Sequence, residues 1–118
     1  MRALILAAGR GARLRPLTDD RPKCLVVLAG RSLLAWQCSA LRAAGIGEIA
    51  VVAGWRAGRV RRAGLVRFVN RAWRWTNMVA SMLTARAWLA AGPCIVAYGD
   101  VVYHAEVVRR LAISADDI

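Results

Sequence analysis

Gly9 and Gly11 stand directly after the apolar run RALILA, and Arg13 and Lys23 follow them, the lysine behind Pro22. Glycines at that spacing let a backbone turn sharply and bring bare N–H groups against an anion. Arginine and lysine supply the charged donors that a polyphosphate requires. Two common phosphate loops are excluded by spacing, because no third glycine completes GxGxxG and GxxxxGK[ST] is missing. An isolated GxG is also compatible with an ordinary βα turn, and Arg10, Arg15 and Arg21 read as solvated surface charge. The second chemically rich point is Gly99-Asp100, behind the apolar run CIVAY; Asp100 is the only acid between Glu48 and Glu106. Taken alone, it reads as a turn or helix-capping aspartate.

These groups must be positioned by the elements around them. Residues 2–7, 48–53, 65–69 and 94–98 read as strands, short and rich in aliphatic side chains. Cys24–Leu28 is a further apolar run, taken as extended and closed by Gly30. Ser32 caps a helix through Ala44, stopped by Gly45. A basic helical stretch follows Gly54. Thr76 or Asn77 caps a long helix to about Ala91, with Met78, Val79, Met82, Leu83 and Leu89 on its inner face. A last helix spans 105–113. Strands alternating with helices, without hairpin signals, predict an α/β fold, a Rossmann-like parallel sheet with helices on both faces. Ligands of such sheets sit beyond the carboxyl ends of the strands, near a switch point. Both rich segments follow strand ends.

Bulk composition narrows the class. The 118 residues suit one domain, and 58% hydrophobic content is ample for a core. No apolar run approaches the ~18 residues of a membrane span, and Arg10, Arg13 and Arg15 interrupt the apolar start that a signal peptide would need. Cys24, Cys38 and Cys94 are odd in number, widely spaced and without CxxC, as buried thiols of a reducing compartment would be, so a cytoplasmic location is expected. The formal charge of +11 invites a nucleic-acid partner. The arginines are instead scattered, apart from a cluster at Arg56, Arg59, Arg61 and Arg62, and no interleaved surface aromatics accompany them. Lys23 is the single lysine among 18 basic residues.

The stretch Leu6–Lys23, LAAGRGARLRPLTDDRPK, resembles the signature of the nucleotidyltransferase superfamily that includes sugar-1-phosphate nucleotidylyltransferases and choline-phosphate cytidylyltransferases. The family pattern LAAGxGxRLxPLTxxxPK is met at every defined position. The resemblance implies that Leu6, Ala8 and Gly9 border base and ribose, that Gly11 and Arg13 hold the triphosphate, and that Lys23 contacts phosphate during transfer. It also implies that Asp100 coordinates Mg²⁺, as the family's strand-end aspartate does. The later stretches NRAWRWTNMVASMLTARAWL and YGDVVYHAEVVRRL look most like the branch that uses CTP with phosphocholine or phosphonates. In that branch Asn77 and Ser81, one helical turn apart, face substrate, although capping and surface polarity explain them equally well. Trp73, Trp75 and Trp88 are read as core packing, and His104 as a surface residue at a helix start.

The expected chemistry is in-line attack of an acceptor phosphate or phosphonate on the α-phosphorus of a nucleoside triphosphate, releasing pyrophosphate. It needs no Ser-His-Asp or Cys-His grouping, since a phosphomonoester is largely ionised near neutrality, its second pKa being ≈ 6. Arg13 would offset charge on the departing pyrophosphate, Lys23 would hold the reacting phosphates, and Asp100 would fix the metal. Members of the superfamily have a longer catalytic domain, so residues 1–118 are read as its N-terminal portion. Ala115–Ile118 resembles the approach to a further strand, and the chain is read as a truncated product, a fragment or one piece of a split enzyme that self-association or a partner chain would complete. A sugar-1-phosphate transferase, an inactive nucleotide-binding remnant and a basic nucleic-acid-binding module are the alternatives.

Overall fold

The computed structural model describes residues 1–11, 13 and 15–114; the expectation placed on Ala115–Ile118 lies outside them. Four parallel strands form the central sheet in the order β5-β4-β1-β6, with β1 at Arg2–Ala7, β4 at Glu48–Ala53, β5 at Leu65–Val69 and β6 at Cys94–Tyr98. All four ranges match the sequence reading. Leu4 pairs with Ala50 on one side and with Val96 on the other, so β1 is interior. Strands buried on both faces are near-continuous apolar runs, and RALILA and EIAVVA are such runs.

Alternate residues of these strands feed two cores. Ala3, Ile5, Ile49 and Val51 pack with Leu34, Cys38 and Leu41 of α1 (Leu33–Ala43) and with Val108 of α4 (Ala105–Ser114). Leu4, Leu6, Ala50 and Val52 pack on the opposite face with Ala85, Met82, Trp88 and Leu89. Helices therefore cover both faces. Ser32 caps α1, its hydroxyl accepting from the Ala35 N–H at 3.0 Å, and Gly45 ends the turn at φ +90°. The chain runs from β1 outward through β4 to β5, then returns to place β6 on the far side of β1. The order reverses between β1 and β6, and their carboxyl ends define the switch point.

Three local expectations are corrected. Lys23–Leu25 is a 3₁₀ turn, and Val27–Leu28 (β2) pairs antiparallel with Arg31–Ser32 (β3). This hairpin turns through Ala29 and Gly30, both at positive φ (50° and 81°). Asparagine or aspartate usually signals such a turn; alanine there hid it. The basic stretch after Gly54 is not a helix but a 3₁₀ turn at Ala57–Arg59, entered through Arg56 at φ 51°.

The long helix after Asn77 is broken into α2 (Met78–Thr84) and α3 (Arg86–Ala90). The Thr84 hydroxyl donates back to the Ala80 carbonyl at 2.9 Å, and Ala85 bonds to Met82 instead of one residue earlier. Hydroxyl back-bonding of this kind bends helices. Met82 and Leu89 pack on the sheet as expected, but Ser81 and Ala85 are buried beside them while Met78, Val79 and Leu83 are exposed, so the inner face is rotated from the one expected.

Candidate active site

The loop after β1 is shaped by contacts along its length. As the strand ends, the Ala8 carbonyl accepts from the Trp55 N–H at 3.0 Å, tying the loop base to the segment after β4. Gly54 permits this approach: a Cβ there would lie 2.5 Å from the Ala8 oxygen and 2.6 Å from Trp73 Cβ. Gly11 has φ +73°, and a Cβ on it would lie 2.9 Å from Lys23 Cβ. The fully buried Thr18 donates its hydroxyl to the Gly11 carbonyl at 2.8 Å, folding the loop back on itself. Gly11 thus makes the sharp turn that both glycines were expected to share. Gly9 lies outside the left-handed region, and a Cβ there would meet nothing within 4 Å.

The fold-back delivers Lys23 to the end of β6, where its Nζ lies 3.1 Å from Asp100 Oδ2. Gly99 makes that corner possible. Its N–H donates to the Leu6 carbonyl at 2.8 Å, and a Cβ on it would lie 2.8 Å from Ala7 Cβ. Leu6, Gly9, Gly11, Lys23, Gly99 and Asp100 line a cleft of about 100 Å³. A second cleft of about 200 Å³ shares Leu6 and Gly9 with it and is otherwise lined by Ala8, Trp73, Thr76, Asn77, Met78 and Ser81. Every residue named from the sequence except Arg13 therefore borders one of two adjoining clefts at the switch point. Arg13 is exposed on the same loop and lines neither cleft.

Chemically, the first cleft combines a glycine-rich backbone, one ammonium and one carboxylate. Among the described residues no three His, Cys, Asp or Glu side chains cluster as a preformed metal cage. Asp100 is half-exposed, and one carboxylate completed by substrate phosphates and water is a usual mode of holding Mg²⁺. The donor set therefore fits that ion. Cys24 also lines the cleft, but burial pushes its thiol up to about 12, so it stays neutral and is no nucleophile.

The remaining candidates divide. Asn77 is the cap of α2, its side-chain oxygen accepting from the N–H groups of Val79 (3.1 Å) and Ala80 (3.3 Å). Asn77→Ala should lower stability by about 1 kcal/mol and Asn77→Asp by much less; urea midpoints compare them, and equal losses would contradict the capping role. Ser81 is buried and accepts from Asn70 Nδ2 at 3.1 Å. Of the tryptophans read as core, Trp88 is packed there and donates to the Ala3 carbonyl at 3.0 Å. Trp73 packs against the core around Leu4 and Val52 and also walls the second cleft, whereas Trp75 is 82% exposed. Arg10 is not simply solvated, since its guanidinium lies 4.2 Å from the centroid of the Trp55 ring. His104 stands at a helix start as expected, exposed, with Nδ1 accepting from the Glu106 N–H.

Sequence reasoning missed two polar residues that build the site. Asn70 donates to Thr76 and Ser81 and accepts from the Ala72 N–H, organising the wall of the second cleft. Its position at the very end of an apolar strand was the available signal. Gln37 is fully buried on α1 and reaches the backbone around Asp100; a lone amide on an otherwise apolar helix face was its signal.

Known proteins resemble this chain in sequence and fold. The chain is 35% identical over 129 residues to a CTP:phosphoglutamine cytidylyltransferase of Campylobacter jejuni, an alignment covering 100% of this chain and 51% of that protein. It is 36% identical over 120 residues to a CMP-5'-(3-aminopropyl)phosphonate synthase of Streptomyces rubellomurinus, covering 95% of this chain and 19% of the other. The structure of the CTP:phosphocholine cytidylyltransferase of Streptococcus pneumoniae superposes with a TM-score of 0.76 at 27% identity, over 89% of this chain and 49% of that one. The chain thus spans about half the length, or less, of these relatives. Residues 3–117 match the MobA-like NTP transferase domain, and with the loop, the sheet order and the strand-end aspartate in place, the chain belongs to that nucleotidyltransferase family.

Proposed function

We propose that residues 1–118 form the nucleotide-binding portion of a catalytic domain that transfers CMP from CTP to phosphocholine, a phosphonate or a similar phosphorylated small molecule, releasing pyrophosphate. The observation that carries this reading is the convergence of the Gly9–Gly11 backbone, Lys23 and Asp100 in one cleft at the switch point. CTP is favoured because two relatives aligned over nearly the whole chain are CTP- or CMP-named enzymes. Relatives acting on sugar 1-phosphates, such as a glucose-1-phosphate thymidylyltransferase of Streptomyces antibioticus, align over about half of the chain.

In this reading the bare N–H groups around Gly9 and Gly11 take the triphosphate, while Leu6 and Ala8 border the nucleoside in the adjoining cleft. Lys23, held by Asp100 before nucleotide arrives, turns its ammonium to the reacting phosphates. Arg13 closes from its exposed position onto the departing pyrophosphate. Mg²⁺ on Asp100 would neutralise charge shared between nucleotide and acceptor. Two anions that repel each other are thereby held in line, and catalysis is positioning and charge compensation. Asn77 and Ser81 would face the substrate from the second cleft.

The remainder of the catalytic domain would pack beside β6, whether supplied by further sequence of the same protein, by a second copy or by a partner chain. Among the described residues β6 has a strand neighbour on one side, and Val96 and Tyr98 are exposed. No helix of the described residues is long and apolar enough to cross a membrane, and we place the protein in the cytoplasm. A pyrophosphate-release screen of the four ribonucleoside triphosphates and dTTP tests the reading, with phosphocholine, aminoethylphosphonate and glucose 1-phosphate as acceptors. The expected outcome is release with CTP and a phosphocholine- or phosphonate-type acceptor. Release with a sugar 1-phosphate would move the chain to the sibling branch. Nucleotide binding without any release by the completed domain would mark an inactive remnant, and salt-sensitive DNA binding indifferent to nucleotide would replace the reading.

A further inference from the structure

Gln37 sits on the buried face of α1 between core residues Leu34, Cys38 and Leu41, and is itself 0% exposed. Its Nε2 donates to the Tyr98 carbonyl at 2.7 Å and also to the Val101 carbonyl. These two carbonyls bracket Gly99-Asp100. Its Oε1 is buried without a hydrogen-bond partner among the described residues. An unpaired buried acceptor destabilises, and a methionine or leucine would fill the same volume without that loss. The glutamine is therefore not explained by packing. What it contributes is donation to a backbone corner that has no other ladder to join.

The corner it holds carries the carboxylate of the cleft. One side is fixed to β1 by the Gly99 N–H on the Leu6 carbonyl, and the side chain of Asp100 is fixed by Lys23. Gln37 fixes the carbonyls before and after. Among the described residues, release of those carbonyls leaves the Gly99-Asp100 turn hinged on the backbone hydrogen bond from Gly99 to Leu6.

We infer that Gln37 is a positioning residue: its amide locks the Tyr98–Val101 corner so that the Asp100 carboxylate faces the cleft in a geometry that receives a divalent cation with nucleotide. The cation part of this inference rests on the nucleotidyl-transfer reading; the locking of the corner does not. The substitution Gln37→Met removes the donor and keeps the volume. Two hydrogen bonds of ordinary strength lost from one corner should speed amide exchange at Gly99 at least tenfold, on the order expected from about 1 kcal/mol each. Exchange at Leu4 and Val51 of the sheet should remain within about twofold of wild type, the core being unchanged. With Mn²⁺ as the probe in the presence of CTP, paramagnetic broadening of the Asp100 amide should need at least about tenfold more metal in the variant, by the same tenfold-per-1.4 kcal/mol relation. CTP binding without metal should be unaffected.

Gln37→Leu, close in volume and likewise without a donor, should reproduce both effects and serves the comparison if the methionine variant loses protection throughout. Exchange at Gly99 that is unchanged, or that accelerates only in step with Leu4 and Val51, overturns the inference. Loss of CTP affinity equal with and without metal also overturns it. Wild-type protein that shows no broadening with Mn²⁺ and CTP defeats the metal assignment to Asp100, while the exchange pattern still decides whether Gln37 locks the corner.

Discussion

Asp100→Asn should abolish the Mg²⁺-dependent part of CTP binding by this chain and lower pyrophosphate release by the complete enzyme by at least about 100-fold, while barely changing stability. The size follows from what the carboxylate does: an anchored cation supplies several kcal/mol of charge stabilisation, and each 1.4 kcal/mol is about tenfold in rate. The small stability effect follows from exposure. Lys23 and Asp100 are 30% and 43% exposed, and ion pairs in such surroundings contribute about 0–1 kcal/mol. Calorimetric nucleotide titration with and without Mg²⁺, set beside a thermal melt, separates the two effects. A melt that drops by ten degrees or more, with metal-dependent binding preserved, would make Asp100 a structural residue. Undiminished turnover would remove it from the chemistry.

The second large effect is expected at Gly54, and it reverses the pattern. A methyl group there would approach the Ala8 carbonyl oxygen to 2.5 Å and Trp73 Cβ to 2.6 Å. Backbone on one side leaves nothing flexible to yield, so Gly54→Ala should cost about 3 kcal/mol, the upper part of the range for overpacking. Because Ala8 and Trp73 both line the second cleft, nucleotide affinity should fall with stability. Gly9→Ala is the control. Its φ is outside the left-handed region and a methyl group meets nothing, so stability should change by under about 0.5 kcal/mol. The methyl group would project where ligand is expected, so CTP affinity should still drop. Denaturant midpoints and nucleotide titrations on the two variants give the comparison. A stable Gly54→Ala protein would show that the Ala8–Trp55 junction is loose.

The four sheet strands were readable to the residue because each is a short, largely apolar block between glycines or polar residues, and in β1 and β4 burial on both faces removes the ambiguity of alternation. Less was readable wherever a local choice ran against propensity. Ala29 takes a left-handed conformation usually left to glycine or asparagine, so the hairpin carried no signature. Residues 78–90 have uninterrupted helical composition, and only the Thr84 hydroxyl bond to Ala80, invisible in periodicity, splits them. In the site, Gly11, Lys23 and Asp100 were legible because their chemical types are unusual where they stand. Their convergence is seen in space alone, since 77 residues separate the pair. Gln37 and Gly54 escaped notice for the opposite reason. Each sits in an ordinary-looking helix or turn, and its role depends on a segment distant in sequence: Tyr98–Val101 for one, Ala8 and Trp73 for the other.

The pairing of Lys23 with Asp100 has a practical corollary, because this chain has no other lysine. Amine-directed reagents that decorate most proteins at random have here one side-chain target, apart from the α-amino group of Met1. A dye, biotin or resin attached through an amide bond would therefore sit in the cleft itself. Immobilisation by that chemistry would occlude the surface to be studied, and tethering through an engineered terminal tag would leave it free.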